Sequence, residues 1–430
     1  MINRYDVADI SSLWTDHSRF KYYLDVELAH LQTLEETGLV PVGLANKMKD
    51  AKINPERISE IEKTTGHDVI AFCTSVTEQY PAEFARFFHF GVTSSDVIDT
   101  AHALLIKDSM SVIEKDMQQL SQSLKARAIE TSDLLCIGRS HGISAEAMVF
   151  GQKFLSYLAE LNRRSSEWQV AKSELTGQLS GAIGSYTVVS PELEEMTLHR
   201  LGLKVEDVST QVVPRDHYAK IISIGALTAS LLDRMSTEFR LLQHSDIDEV
   251  KEGFSKGQKG SSTMPHKKNP ISSENIAGLS RLLRSHIIPA LENCNLWHER
   301  DISHSSVERM MLPDHFGLLS YTLRRMKNVV DNLVIDRERI ESKALHNEKI
   351  YSSYVLHKLI ELNQSTTREE LYEAVQGAFF KSKTKEELRA NLVSDLNQKK
   401  LKHEAGSWID FDYLKNHYMN QFKKISARFN

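Results

Sequence analysis

The chain has 430 residues, with 53 Lys plus Arg against 58 Asp plus Glu and a net charge of −5, so it carries no basic surplus for gripping nucleic acid. At 41 % hydrophobic and 26 % charged it has ordinary globular usage and room for about three domains, and only 19 Gly and 9 Pro argue for long regular elements with few turns. Cys73, Cys136 and Cys294 are odd in number and far apart, which excludes a disulfide scaffold and a C-x-x-C zinc site, and no window of about 18 residues is apolar and uncharged enough for a membrane span.

The opening MINRYDVADI lacks the basic-then-apolar pattern of a secretory leader, so the expected compartment is the cytoplasm. Residues 1–92 read as a mixed, mostly helical N-terminal unit. At GVTSSDVID, Ser and Thr capping residues precede a long apolar-periodic run, and the central bundle is placed at 93–345 from there. Three stripes at helical spacing support it: Phe150, Phe154, Leu158 and Leu161; Ile224, Leu227, Leu231, Met235, Phe239 and Leu242; and Phe316, Leu319, Leu323, Met326, Val330 and Leu333. Each is read first as a core seam. Strand-like alternation is scarce, so the expected class is all-α, built on a central bundle of long helices. The polar HNEKIYSS ends the bundle, and 346–430 is expected as a smaller helical unit with amphipathic EELYEAV and WIDFDYLKNHY stretches.

Chemistry concentrates in a few polar stretches. KEGFSKGQKGSSTMPHKKNPISSE, residues 251–274, is either a solvated linker or a mobile segment that closes over an anionic substrate, with hydroxyls at Ser261 and Ser262 and cations at Lys267 and Lys268. It is no P-loop, because the G-x-x-x-x-G-K-[ST] order is absent. WHERDISHSSVER, residues 297–309, is either a salt-bridged helix face or a carboxylate clamp made by Arg300, Ser305 and Arg309. SGAIGS at 180–185 reads as a turn or close approach before it reads as a phosphate nest. Histidines stand in GHDV (His67, Asp68), HFGVTSSD (His89, Thr93, Ser94) and GRSHGISAE (His141), each structural or a general acid. None has H-E-x-x-H spacing, so no metal is expected.

GSSTMPHKKNP, residues 260–270, resembles the signature of the fumarase/aspartase superfamily. With NRYD, HDVIAF, HFGVTSSDVIDTA, GRSHGISAE, GQLSGAIGSY and WHERDISHSSVERMMLPD the likeness spans essentially the whole chain, and MPHKKNP with WHERDISHSS points to the adenylosuccinate lyase branch. The resemblance implies a three-domain helical subunit, a homotetramer whose active sites draw on three subunits, and no cofactor. It implies nucleotide substrates, adenylosuccinate and succinylaminoimidazole carboxamide ribotide, from which β-elimination releases fumarate.

Residue by residue, the resemblance makes Ser261 the general base and His141 the general acid. Lys267 stabilises the aci-carboxylate and Glu274 supports the histidine. Asn269, with Ser262 nearby, positions substrate. Thr93 and Ser94 hold the succinyl carboxylates, and Gln211 and Arg300 touch the substrate body. Arg4, Tyr5, Ser305 and Arg309 face the nucleotide, largely its phosphate, while His67, Asp68 and His89 line the pocket. Departures from the usual pattern are Gly66 in place of a basic residue, Ser140 for Thr, Ser144 for His and Ala147 for Pro.

Overall fold

The structure is a computed structural model that describes residues 2–254, 257, 260 and 263–429. It is all-α in class, and the described strands form three two-stranded ladders. The elements used below are α1 (Asp16–Glu36), α2 (Pro55–Thr65), α3 (Asp68–Thr77), α4 (Ser94–Glu130), β1 (Leu135–Ser140), β2 (Ile143–Val149), α5 (Gly151–Ser173), α6 (Asp216–Leu242), α7 (Ile271–Ser285), α8 (Ser303–Asn332), α9 (Ser352–Leu362), α10 (Arg368–Lys381), α11 (Lys385–Gln398) and α12 (Phe411–Ser426).

The chain divides into two units, one of Met1–Gln119, Leu161–Arg234 and Asn275–Met326, the other of Leu120–Glu160, Met235–Glu274 and Lys327–Asn430. The divisions fall inside α4, α5, α6, α7 and α8.

In the first unit, local signals set the helix ends. Thr15 caps α1 by accepting from the Ser18 N–H at 3.2 Å. Asn54 caps α2, Pro55 occupies its first turn and Gly66 ends it in the left-handed region at φ 63°. The buried face of α1 meets α3 through aromatic rings: Phe20 stacks on Phe72 at 5.9 Å and Tyr23 meets Phe72 edge-on at 5.6 Å. Bundle helices lock by polar as well as apolar contacts. Trp168 of α5 donates to the Met110 carbonyl of α4 at 3.0 Å and packs edge-on against Phe316 of α8. Asp116 of α4 accepts from Ser320 of α8 at 2.5 Å and from Arg324 Nε at 2.9 Å.

In the second unit, β1 and β2 form an antiparallel hairpin that the sequence reading did not anticipate. Ser140 pairs with Ile143, leaving His141 and Gly142 as a two-residue loop with φ of 53° and 76°. Both positive values make it the tight turn whose twist suits a hairpin. Leu135, Ile137 and Ala147 of the hairpin join one core with Tyr351, Val355, Leu359, Leu371, Leu392, Trp408 and Leu414, so α9 to α12 form the bed on which it rests.

The stripes at Phe150–Leu161 and Phe316–Leu333 are buried throughout, as is the Ile224–Leu242 stripe except for Leu227, which is 48 % exposed. Leu227 is thus no part of this chain's core, although it holds the helical spacing.

Candidate active site

The first unit holds many of the residues expected to bind substrate, drawn from distant segments. His67 is the N-cap of α3, its Nδ1 accepting from the Ile70 N–H at 3.4 Å. Asp68 follows in the first turn and accepts from Arg309 Nη2 of α8 at 2.5 Å. Burial pushes the Asp68 carboxyl up, but the Arg309 hydrogen bond and charge, with Arg19 behind them, bring it below its ordinary value. The glycine at position 66 has a local cause, since a side chain there would have to adopt the left-handed conformation that ends α2.

Thr93 and Ser94 open α4. The Thr93 N–H donates to Asp96 Oδ2 at 2.8 Å, and the same carboxylate accepts from the N–H groups of Ser180 at 3.0 Å and Gly181 at 3.1 Å. Burial pushes Asp96 up to about 7 against those three donors. This fixes SGAIGS as a turn, with Gly184 so near the Ser209 carbonyl that a Cβ would stand 2.3 Å from it. Sequence reading passed over Asp96, although Thr93-x-x-Asp96 is the spacing in which a side chain reaches back to the cap.

Arg300 and Arg309 do not share one helix, correcting the helical placement of the whole 297–309 segment. Helix α8 begins at Ser303, and Asp301 stops it from starting earlier by accepting from the N–H groups of Trp297 and Ser303, each at 2.8 Å. Arg300 therefore sits in the preceding loop, where its Nη1 donates to Gln211 Oε1 at 3.0 Å. Ser305 and Arg309 remain one turn apart in α8.

Arg300, Ser305 and Arg309 line a cavity of about 270 Å³ together with Arg19, Tyr23 and His102. In its wall Arg215 donates to Asp99 at 2.6 and 2.9 Å and to Glu308 at 3.0 and 3.3 Å, all three side chains being nearly inaccessible. Burial disfavours the charge on Arg215, yet Asp99 and Glu308 keep its pKa above the ordinary value. Asp99 and Arg215 are 116 residues apart, beyond the reach of any local pattern. At the chain start, Tyr5 accepts from Asn275 Nδ2 at 3.4 Å and packs edge-on against Tyr321, while Arg4 is exposed in the same short 3₁₀ turn.

The second unit holds the groups expected to do chemistry. His141 stands exposed at the hairpin tip, and β1 is tied just before the tip by Arg139, which donates to Glu249 at 2.5 and 3.2 Å. Lys267, Asn269 and Glu274 line a cavity of about 910 Å³ with Arg240, Gln243 and His266. His141 lines neither cavity.

Asn269 Nδ2 donates to the Gly260 carbonyl at 2.9 Å, and a Cβ on Gly260 would stand 2.2 Å from the Lys267 carbonyl. The segment therefore folds tightly back on itself there. Glu252, which sequence reading missed, accepts from Ser272 N–H at 3.0 Å and from Ser273 N–H and Oγ at 2.7 and 2.5 Å, capping α7, whose first turn carries Glu274. Ser261 and Ser262 lie outside the described residues.

Comparison with known proteins places these residues in context. A lyase family model matches residues 11–283. An adenylosuccinate lyase of Thermotoga maritima is 40 % identical over 431 residues, 99 % of each chain. One from Synechocystis is 42 % identical over 88 % of each. Among solved structures, a fumarate lyase from Mesorhizobium superposes with a TM-score of 0.85 at 19 % identity over 99 % of both chains. A 3-carboxy-cis,cis-muconate lactonizing enzyme from Pseudomonas putida gives 0.82 at 23 %, over 99 % and 96 %. At those identities the two structures speak for the fold alone.

Proposed function

The chain belongs to the lyase family, in its adenylosuccinate lyase branch, and from that membership we propose that it is a C–N lyase that cleaves adenylosuccinate to AMP and fumarate. What carries the proposal is near-full-length likeness to adenylosuccinate lyases in a chain with a competent side chain at each chemical position: His141, Ser261, Lys267 and Glu274. The same reaction on succinylaminoimidazole carboxamide ribotide belongs to the proposal.

The elimination needs a proton removed from the carbon β to the departing nitrogen and a proton delivered to that nitrogen. Ser261 Oγ takes the first. The C–H electron pair passes into the adjacent carboxylate as an aci-carboxylate, and Lys267 stabilises charge that exists only there. When the C–N bond breaks, those electrons form the double bond of fumarate, the nitrogen keeps the bonding pair, and His141 protonates it, with Glu274 supporting the imidazole.

On the binding side, Arg300 with Gln211 touches the substrate body, while the Ser305–Arg309 pair suits the substrate's phosphate, because a guanidinium fork matches phosphate oxygens. Arg4 and Tyr5 join them, and Thr93 and Ser94 take the succinyl carboxylates. Asn269 and Ser262 position substrate, and His67 and Asp68 line the pocket.

The working form we propose is a homotetramer of three-domain subunits with shared sites, placed in the cytoplasm. Leu227, Leu282, Ile288 and Met310 support it: they are exposed on the long helices or on the short helix Ile287–Glu292 after α7 and suit burial by other copies. Among the described residues no helix is long and apolar enough to cross a membrane.

Ultraviolet monitoring with adenylosuccinate, fumarate identified in the product and argininosuccinate run in parallel, tests the proposal. Cleavage of adenylosuccinate alone is expected. Cleavage of argininosuccinate instead would move the chain to a sister activity, and turnover of neither would favour a scaffold that has lost catalysis.

A further inference from the structure

His89 is gripped by a carboxylate that belongs to none of the motifs above. Glu27, from the buried face of α1 and itself 1 % exposed, stands 62 residues away in sequence. Its Oε1 is 2.6 Å from His89 Nδ1, and its Oε2 accepts the backbone N–H of the same residue at 3.1 Å. His89 has φ 61°, a left-handed conformation that strains a non-glycine residue and persists only where the surroundings over-determine it. A single carboxylate holding both ring and backbone does so. With Nδ1 engaged by an acceptor, the ring proton is fixed there and Nε2 is left for another partner, on a side chain still 27 % exposed.

The surroundings favour a charged ring. Burial alone would lower the His89 pKa, but the hydrogen bond and charge of Glu27, helped by Asp96 of α4, raise it above the ordinary histidine value. His30 of α1 also faces the pair, but burial lowers its own pKa and its Nε2 is engaged with the Phe90 carbonyl at 2.8 Å. Cys73 of α3 is the remaining titratable neighbour, and burial holds it as a neutral thiol.

We infer that Glu27 is the positioning residue of His89: it locks the imidazole by Nδ1 and presents Nε2 as a charged donor to an anionic group, carboxylate or phosphate, of the substrate. The inference rests on the proposed lyase activity. Glu27, Cys73 and His89 also bring ligand atoms within 4.8 Å of one another, the spacing of a metal site, but both Glu27 oxygens are already satisfied by His89.

Glu27→Gln keeps the shape but removes the charge, and offers one acceptor to two donors. The sign follows from the raised pKa: the ring keeps its proton, and the pair its contribution to binding and stability, until pH rises through the raised value. In Glu27→Gln the alkaline limb of kcat/KM due to this ring should therefore move down by roughly 1–3 pH units, the usual effect of deleting an adjacent opposite charge. KM should rise more at alkaline than at acid pH with kcat little altered, and Glu27→Asp should restore the limb. A variant merely less stable, with an unmoved limb, would overturn the inference.

Imidazole ¹⁵N spectra, with His89→Gln for assignment, give a second readout independent of turnover. In the wild type they should show both nitrogens protonated below the raised pKa and the proton kept on Nδ1 above it, a preference that Glu27→Gln loses; a neutral wild-type ring protonated on Nε2 alone overturns the inference. A stoichiometric Co²⁺ complex with thiolate absorption that vanishes in Cys73→Ser would overturn it too, by making the pair metal ligands. Failure of the wild type to cleave adenylosuccinate, with the Nδ1 signature intact, would instead count against the proposed activity.

Discussion

The arginine-lined cavity of the first unit and the hairpin tip and 260–274 segment of the second solve opposite problems. Around the cavity, charged groups are paired before any substrate arrives: Arg215 with Asp99 and Glu308, Arg309 with Asp68, Arg300 with Gln211. In the second unit His141, Lys267 and Glu274 are exposed, and what is buried is their support, Glu249 under the hairpin and Glu252 at the head of α7. Groups that recognise substrate gain from preorganisation inside one fold, because their ordering cost is met on folding. Under the roles proposed above, groups that move protons need desolvation only around the reacting atoms, which suits a place on projections that further surfaces can enclose.

The largest expected effect breaks the comparison on its exposed side. His141→Ala and Ser261→Ala should each lower kcat by about 10²- to 10⁴-fold, the usual worth of a positioned proton-transfer group, while leaving the fold intact. Mixing the two inactive proteins after subunit exchange should restore part of the activity, because some sites would then take both groups from unmutated chains. Absence of any recovery under demonstrated exchange would place both groups in sites built by a single chain.

On the buried side the expected loss is stability. Arg215→Met leaves Asp99 and Glu308 facing each other without their cation, and breaking a buried pair in this way costs about 3–5 kcal/mol. Urea unfolding measures it. A loss below about 1 kcal/mol would mean that the triad relaxes as an exposed pair does.

Arg309→Met should have a smaller effect than either. A charge-assisted hydrogen bond is worth about 1.5–3 kcal/mol, so KM for adenylosuccinate should rise about ten- to a hundredfold with kcat much less affected. The opposite split, with kcat falling at constant KM, would move Arg309 from binding to chemistry.

What was legible in the sequence follows the same division. Periodicity gave the helices because a buried stripe repeats locally, and it missed the 135–149 hairpin because only Leu135–Ile137 and the end of β2 are buried, too short a run to show alternation. The loop His141–Gly142 was the available signal, a glycine-bearing pair placed directly before Ile143. Leu227 shows the limit of a stripe, since spacing specifies a face and says nothing of which chain covers it. The candidate residues came from motif resemblance; Glu27 behind His89 and the buried Asp99–Arg215 pair did not, because an acid 62 or 116 residues from its partner leaves no trace in a local window.

The smallest expected effect sharpens the comparison at the edge of the binding set. Gly66 closes α2 at φ 63° directly before His67 and Asp68, and a Cβ there would meet nothing within 4 Å. Gly66→Ala therefore carries backbone strain without crowding, about 1 kcal/mol in urea unfolding. If Arg309 fixes Asp68 as tightly as their 2.5 Å contact indicates, the strain should be absorbed in α2 and KM should not move. A KM that rises with Gly66→Ala while Arg309→Met leaves it unchanged would mean that the α2–α3 turn, and not the ion pair, sets the pocket wall, and the preorganisation assigned to the arginines would belong to the backbone.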